Sequence, residues 1–188
     1  MNLPKLIGIA GKKQHGKDTA GNYLCRKHGY VRIAFADAIK EMMRHSFGFT
    51  EEQLNGSQKE EIDPFWKVSP RQVLQFVGTE MFRNTMPQLI PHVESNFWVI
   101  VAKKKMMDEW AKNPDAKFVI TDVRFENELD FIHEMGGISL TVFRTQLAST
   151  EDTHSSETAD LKTQYTIVND GSLDALYAQV EAVLREIV

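Results

Sequence analysis

The chemistry-bearing residues of this chain begin with Gly11-Lys12-Lys13-Gln14-His15-Gly16-Lys17-Asp18-Thr19. Two glycines let a backbone curl until its N–H groups converge, Lys17 adds a point charge, and a helix starting there adds its positive end. That combination grips phosphate oxygens, with the lysine placed for the β- and γ-phosphates of a nucleotide. A Ser or Thr usually follows the lysine of such a loop; here Asp18 takes that place and Thr19 comes next. Lys12 and Lys13 add positive charge that could serve a second phosphate group. Glycine turns of this spacing also occur without a ligand, so the flanking elements carry weight.

A second group closes an apolar run, Val119-Ile120-Thr121-Asp122, and continues through Val123-Arg124 to Glu128. A carboxylate at a strand end suits a magnesium ion or its water shell, although Asp122 would also cap a following helix. Arg124 offers the planar fork that holds a phosphate with two parallel hydrogen bonds, or it pairs with Glu128 four residues on. Further groups stand between these two. Arg71, Gln75, Thr79 and Arg83 recur every fourth residue, forming one slowly drifting polar stripe, while Val73, Leu74, Val77 and Met81 take another face. Gly78 interrupts that helix at a cost of about 1 kcal/mol relative to Ala, which leaves room for a ligand or a neighbouring backbone. Lys40 is a surface lysine or a phosphate partner, and Trp98 is a core residue or a stacking platform. Thr153-His154-Ser155-Ser156-Glu157 places His154 and Glu157 three apart, yet no third metal ligand has suitable spacing. No nucleophile set of the Ser–His–Asp or Cys–His kind is evident, which argues against covalent hydrolysis.

These residues need elements to hold them. The run Leu6–Ala10 reads as a buried strand feeding the loop, and 19–28 as the helix leaving it. Further strands are expected at 30–35, 117–121, Ile138–Phe143 and Tyr165–Val168. Helices are expected at 37–47, 70–84, Phe97–Lys112, 126–135 and 173–188. In the last of these Leu173, Leu176, Val180, Val183, Leu184 and Ile187 form a core-facing stripe. Alternating strands and helices predict a three-layer α/β/α phosphate-loop fold, with about five mostly parallel strands. The whole chain, 1–188, reads as one domain: a core of about 1–36 and 115–188, a helical insertion of about 37–114, and a polar lid segment of about 145–162. The insertion should stand at the C-terminal edge of the sheet, where open α/β folds bind ligands.

Composition narrows the function classes. With 188 residues, 42% apolar and 26% charged, the chain is an ordinary globular sequence. A net charge of −4 argues against a general nucleic-acid surface. No apolar run approaches a membrane span, no signal peptide is visible, and the one cysteine, Cys25, suits a reducing cytoplasm.

Taken in order along the chain, these blocks resemble the deoxynucleoside monophosphate kinases of the bacteriophage type. The resemblance runs through the loop with Lys13 and Lys17-Asp18-Thr19, Ile39-Lys40, Arg71 with Leu74-Gln75-Phe76-Val77-Gly78-Thr79-Glu80, Trp98, Asp122-Val123-Arg124 with Glu128, Thr153-His154 with Glu157, and Asn169-Asp170-Gly171-Ser172-Leu173. Lys-Asp-Thr is similar to that family's own loop. The resemblance implies ATP as phosphoryl donor, Mg²⁺ as metal and a deoxynucleoside monophosphate as acceptor. Gly11, Gly16, Lys17, Asp18 and Thr19 would hold ATP, and Asp18, Thr19 and Asp122 the metal. Lys13, Ile39, Lys40, Arg71, Gln75, Thr79, Trp98, Arg124, Glu128 and Glu157 would surround the acceptor, with Lys17, Arg71 and Arg124 acting on the transferring group. A shorter insertion between Lys40 and Arg71 than in the larger phage enzymes leaves base preference and a homodimer open. Two other readings stand beside this one: a kinase of another small phosphorylated acceptor such as phosphomevalonate, and a non-catalytic nucleotide-binding protein.

Overall fold

The computed structural model describes residues 3–147 and 161–187. In chain order the principal elements are β1 (Leu6–Ala10), α1 (Lys17–His28), β2 (Tyr30–Ile33), α2 (Ala36–Phe47), α3 (Glu51–Asn55) and α4 (Pro70–Gln75). A π-helical segment Phe76–Thr85 continues from α4, followed by α5 (Phe97–Lys112), β3 (Lys117–Val123), α6 (Glu126–Glu134), β4 (Ile138–Phe143), β5 (Tyr165–Val168) and α7 (Leu173–Ile187). The chain divides into two compact units, Met1–Ala34 with Lys104–Val188, and Phe35–Lys103. The segment 148–160, with His154 and Glu157 of the expected lid, lies outside the described residues.

The first unit is built on a five-stranded sheet of order β2-β3-β1-β4-β5, and every pairing in it is parallel. β1 is buried along its whole length, as a central strand covered on both faces must be. Its alternation assigns the layers. Ile7 and Ile9 join Ala20 and Leu24 of α1 and Leu176 and Val180 of α7 in one core cluster. On the opposite face, Gly8 leaves room for α6: a Cβ there would sit 2.8 Å from Ile132 Cγ1. The result is the expected three-layer α/β/α arrangement. Each fully buried Ile or Leu contributes about 1.5–3 kcal/mol, so these two layers supply most of the unit's cohesion. The chain leaves β1 for β2 on one side and later crosses from β3 to β4 on the other. The strand order therefore reverses around β1, and the loop after β1 opens at that switch point.

The second unit is helical. α3 and α4 each begin with a reciprocal capping box, Thr50 with Gln53 and Ser69 with Gln72, and Pro70 occupies the first helical position of α4. The expected single helix over 70–84 is instead six α-helical residues followed by ten π-helical ones. Trp98 and Gly78 show why the wider turn is tolerated. The buried Trp98 indole N–H donates to the Gly78 carbonyl oxygen at 2.8 Å, giving that carbonyl a partner outside its own helix. Gly78 makes room for Ile39 of α2, whose Cδ1 would lie 2.9 Å from an added Cβ. Val73 and Val77 are buried as expected, but Met81 is 45% exposed because the change of winding rotates it off the apolar face.

Candidate active site

The loop 11–16 follows from its backbone conformations. Gly11 and Gly16 have φ of 138° and 107°, and Gln14 has φ of 65°, all in the left-handed region. Glycine is required twice over at the first two. A Cβ on Gly11 would lie 2.3 Å from the Val142 carbonyl oxygen, and one on Gly16 would lie 2.4 Å from Asn169 Nδ2. Gly16 is also the N-cap of α1 and carries no side-chain cap, so the first N–H groups of the helix face no capping oxygen. A left-handed glycine loop, a helix start without a side-chain cap and a buried lysine are the parts from which an anion cradle is made.

Lys17 is the charge at its centre. Only 8% of it is exposed, and its ammonium donates to the Lys12 carbonyl oxygen at 2.7 Å. Its pKa is lowered to about 8, chiefly by burial and next by the Arg124 guanidinium, while Asp18 and Asp122 oppose both. Those effects place Lys17, Asp18, Asp122 and Arg124 in one electrostatic neighbourhood, with all four in the first unit.

Asp18 lies in the first turn of α1 and is largely exposed. Its Oδ1 accepts from Thr121 Oγ1 at 3.1 Å, and Arg32 Nη2 approaches the same oxygen at 4.0 Å. Close packing produces this meeting, since Gly21 of α1 sits against the Thr121 methyl. Asp122 is half-buried within β3, one residue before its end. Asp18, Asp122 and Thr19 carry hard oxygen donors of the kind Mg²⁺ takes, so their chemistry suits that ion. Thr19 also lines an open depression of about 340 Å³ with Asn22, Cys25 and Arg26.

Glu128 is a buried residue that grips the backbone beside Arg124. Its carboxylate is 2% exposed, and Oε2 accepts the backbone N–H of Arg124 at 2.8 Å and of Phe125 at 3.2 Å. It fixes the turn that presents Arg124. In the second unit, Arg71, Gln75 and Thr79 are half-buried. The π winding matters here: an i→i+5 turn holds more residues than 3.6, so a four-residue step undershoots the full turn that an α-helix overshoots. The opposite drifts offset each other and keep the stripe together. Arg83 belongs to it by spacing but is buried, donating to the Ser95 carbonyl oxygen at 3.3 Å. Ile39 and Trp98 are core residues at 8% and 3% exposure, Lys40 is half-buried, and Lys13 is exposed.

Sequence reasoning gave no role to Arg32, Arg144 or Asn169. Arg32 and Arg144 sit in or beside strands far along the chain from their partners, and no spacing rule links them to the loop. Asn169 stood in one of the resembling blocks, which was the only signal it carried.

Sheet order, glycine-lined loop and buried lysine define a phosphate-loop protein of the α/β/α class. The chain shares this fold with TT1252 from Thermus thermophilus, at a TM-score of 0.52 and 20% identity over all of both chains. The family model for deoxynucleotide monophosphate kinase matches residues 5–63 and 53–180. The homologue of that enzyme in Acanthamoeba polyphaga mimivirus is 35% identical over 182 residues, which is 93% of either chain. The deoxynucleotide monophosphate kinase of Escherichia phage RB69 is 31% identical over 127 residues, 66% of this chain and 47% of that one. The corresponding enzyme of Enterobacteria phage T4 is 22% identical, covering 96% of this chain and 99% of its own. The chain belongs to the deoxynucleotide monophosphate kinase family.

Proposed function

We propose that this protein transfers the γ-phosphoryl group of ATP to deoxynucleoside 5′-monophosphates, forming diphosphates as DNA precursors. The observation that carries the reading is the Lys17 neighbourhood: one buried ammonium at the mouth of a glycine-lined loop, flanked by Asp18, Asp122 and Arg124. Family membership supports the choice of acceptor.

In this reading the loop N–H groups and Lys17 hold the donor phosphates. Arg124, fixed by Glu128, and Arg71 hold the acceptor phosphate, with Gln75 and Thr79 beside the nucleotide on the helix that Ile39 and Trp98 support, and Lys13, Lys40 and Glu157 completing the set. Asp18, Thr19 and Asp122 would hold Mg²⁺, which when bound neutralises charge on the phosphate oxygens. An acceptor oxygen forms a bond to the γ-phosphorus as the bond to the β,γ-bridging oxygen breaks, and ADP leaves. The acceptor phosphate is already ionised, so no strong general base is required, and catalysis consists of positioning and cationic stabilisation. The site of action is the cytoplasm, that of the host cell for a phage-borne gene.

A coupled assay of ADP release with ATP, Mg²⁺ and each ribo- and deoxyribonucleoside monophosphate tests the reading. Acceptor-dependent turnover with deoxynucleotides is expected. ATP binding without any acceptor-dependent turnover would identify a nucleotide-binding protein instead, and turnover only with another phosphorylated acceptor would move the enzyme to a different substrate class. Among the described residues no helix is long and apolar enough to cross a membrane.

A further inference from the structure

We propose that Asn169 is a positioning residue for ATP: from the end of β5 it sets the conformation of the phosphate loop through the His15 carbonyl. The inference rests on the reading of residues 11–19 as the donor-phosphate cradle and deepens it.

Asn169 is buried, at 4% exposure, and lies one residue past β5. Its Nδ2 donates to the His15 carbonyl oxygen at 2.9 Å, across 154 positions of sequence. Its own backbone is fixed at both polar groups: its N–H donates to the Phe143 carbonyl oxygen at 2.7 Å, and its carbonyl oxygen accepts from Arg144 Nε at 2.9 Å. Arg144 completes the clamp, since its backbone N–H donates to His15 Nδ1 at 3.2 Å. The His15 ring meanwhile packs edge-on against Phe143, with centroids 5.6 Å apart. One loop residue is thus held by its carbonyl, its ring nitrogen and its ring edge from the ends of β4 and β5.

The consequence follows from the peptide bond. In a planar trans unit the His15 carbonyl and the Gly16 N–H point in opposite directions. Drawing the carbonyl onto Asn169 turns the Gly16 N–H away from β5, so that the orientation of a loop donor is set by a residue outside the loop. The same side chain explains Gly16, where any Cβ would meet Asn169 Nδ2 at 2.4 Å. Asparagine is the side chain this geometry needs. Aspartate has the same shape but presents only acceptors when ionised, and would set an oxygen against the His15 carbonyl oxygen.

The test is Asn169→Asp, with Asn169→Ser as a smaller uncharged change and Glu181→Gln as a control that removes a hydrogen-bonded carboxylate charge from the same unit away from the loop. ATP dissociation constants come from titration, steady-state constants from the coupled assay, and folding from circular dichroism and thermal melting. Asn169→Asp should weaken ATP binding by about tenfold or more and raise KM for ATP in step. Asn169→Ser should act in the same direction more mildly, and both should leave KM for the deoxynucleotide unchanged. Wild-type ATP affinity retained in Asn169→Asp would overturn the proposal. So would an equal loss of ATP affinity in Glu181→Gln, because the effect would then follow stability alone. Failure of the wild-type protein to bind ATP at all would instead overturn the reading of the loop, which keeps the two failures distinct.

Discussion

At the scale of single residues, Lys17 shows a conflict between stability and function. Burial above all pushes its pKa down to about 8, so the fold bears an unfavourable buried charge. That charge and Arg124 repel each other, and an anion bound between them would offset the repulsion. Lys17→Met should therefore lower kcat by about a hundredfold or more, as loss of a cation stabilising the transferring group does. It should also raise the melting temperature at neutral pH, because the desolvated charge is gone. A coupled assay with a thermal melt checks both, and a variant that lost stability together with activity would contradict the assignment. Asp18 presents the inverse problem, a carboxylate beside phosphate. Thr121 and Arg32 hold one of its oxygens in place. Asp18→Asn should raise the Mg²⁺ concentration needed for half-maximal turnover. If turnover and Mg²⁺ dependence both stayed at wild-type values, Asp18 would have no part in holding the metal.

At the scale of elements, the change from α to π winding at Phe76 is the feature with most consequence. The wider turn needs outside support, and the Trp98 indole supplies it at Gly78. Trp98→Phe keeps a ring in contact with Phe82 and Phe97 but leaves a buried carbonyl without that donor. The expected cost is about 1–3 kcal/mol by chemical denaturation. A rise in KM for the acceptor should accompany it, with KM for ATP unchanged, since Gln75 and Thr79 lie in and beside the supported turn. Unchanged stability would mean that the π segment persists without the indole. Repeating polar residues at four-residue steps revealed that Arg71, Gln75 and Thr79 belong together. The same pattern could not reveal the winding, because α and π helices differ in which carbonyl each N–H chooses, and a distant tryptophan biases that choice. For the same reason the stripe's fourth member, Arg83, reads as a ligand group in sequence yet spends a donor on Ser95.

At the scale of the folded first unit, α1 and α7 are latched over the sheet by Glu181. Its Oε1 accepts from Tyr23 Oη at 2.7 Å and lies 2.6 Å from His28 Nε2, beside the stacked pair Tyr23 and Tyr177. The Tyr23 hydroxyl, more than His28, holds the Glu181 carboxyl below the usual glutamate range. A carboxylate depressed in the folded state stabilises fully above its unfolded pKa, and that contribution disappears as pH falls through the folded value. Glu181→Gln should thus cost about 1 kcal/mol at pH 7. Urea titrations of both proteins should converge as the pH is lowered through and below the ordinary carboxylate range. A gap that persisted undiminished at acid pH would show that the loss is one of packing and not of charge.

The sequence by itself determined the sheet's strands, the parallel three-layer class and the phosphate loop, because each depends on local rules: apolar runs, period-3.6 stripes and two glycines at fixed offsets. It also marked Asp122 and Arg124, which stand at and beyond a strand end that the run of buried residues makes legible. Tertiary structure alone decided that Glu128 grips the turn bearing Arg124, that Arg32 approaches Asp18, and that Asn169 holds the loop's carbonyl from the far end of the chain. Those are contacts between residues four to 154 positions apart whose partners are backbone atoms or a side chain on another element. A carbonyl or N–H belongs to every residue type, so it leaves no mark in a sequence until folding brings a side chain to it.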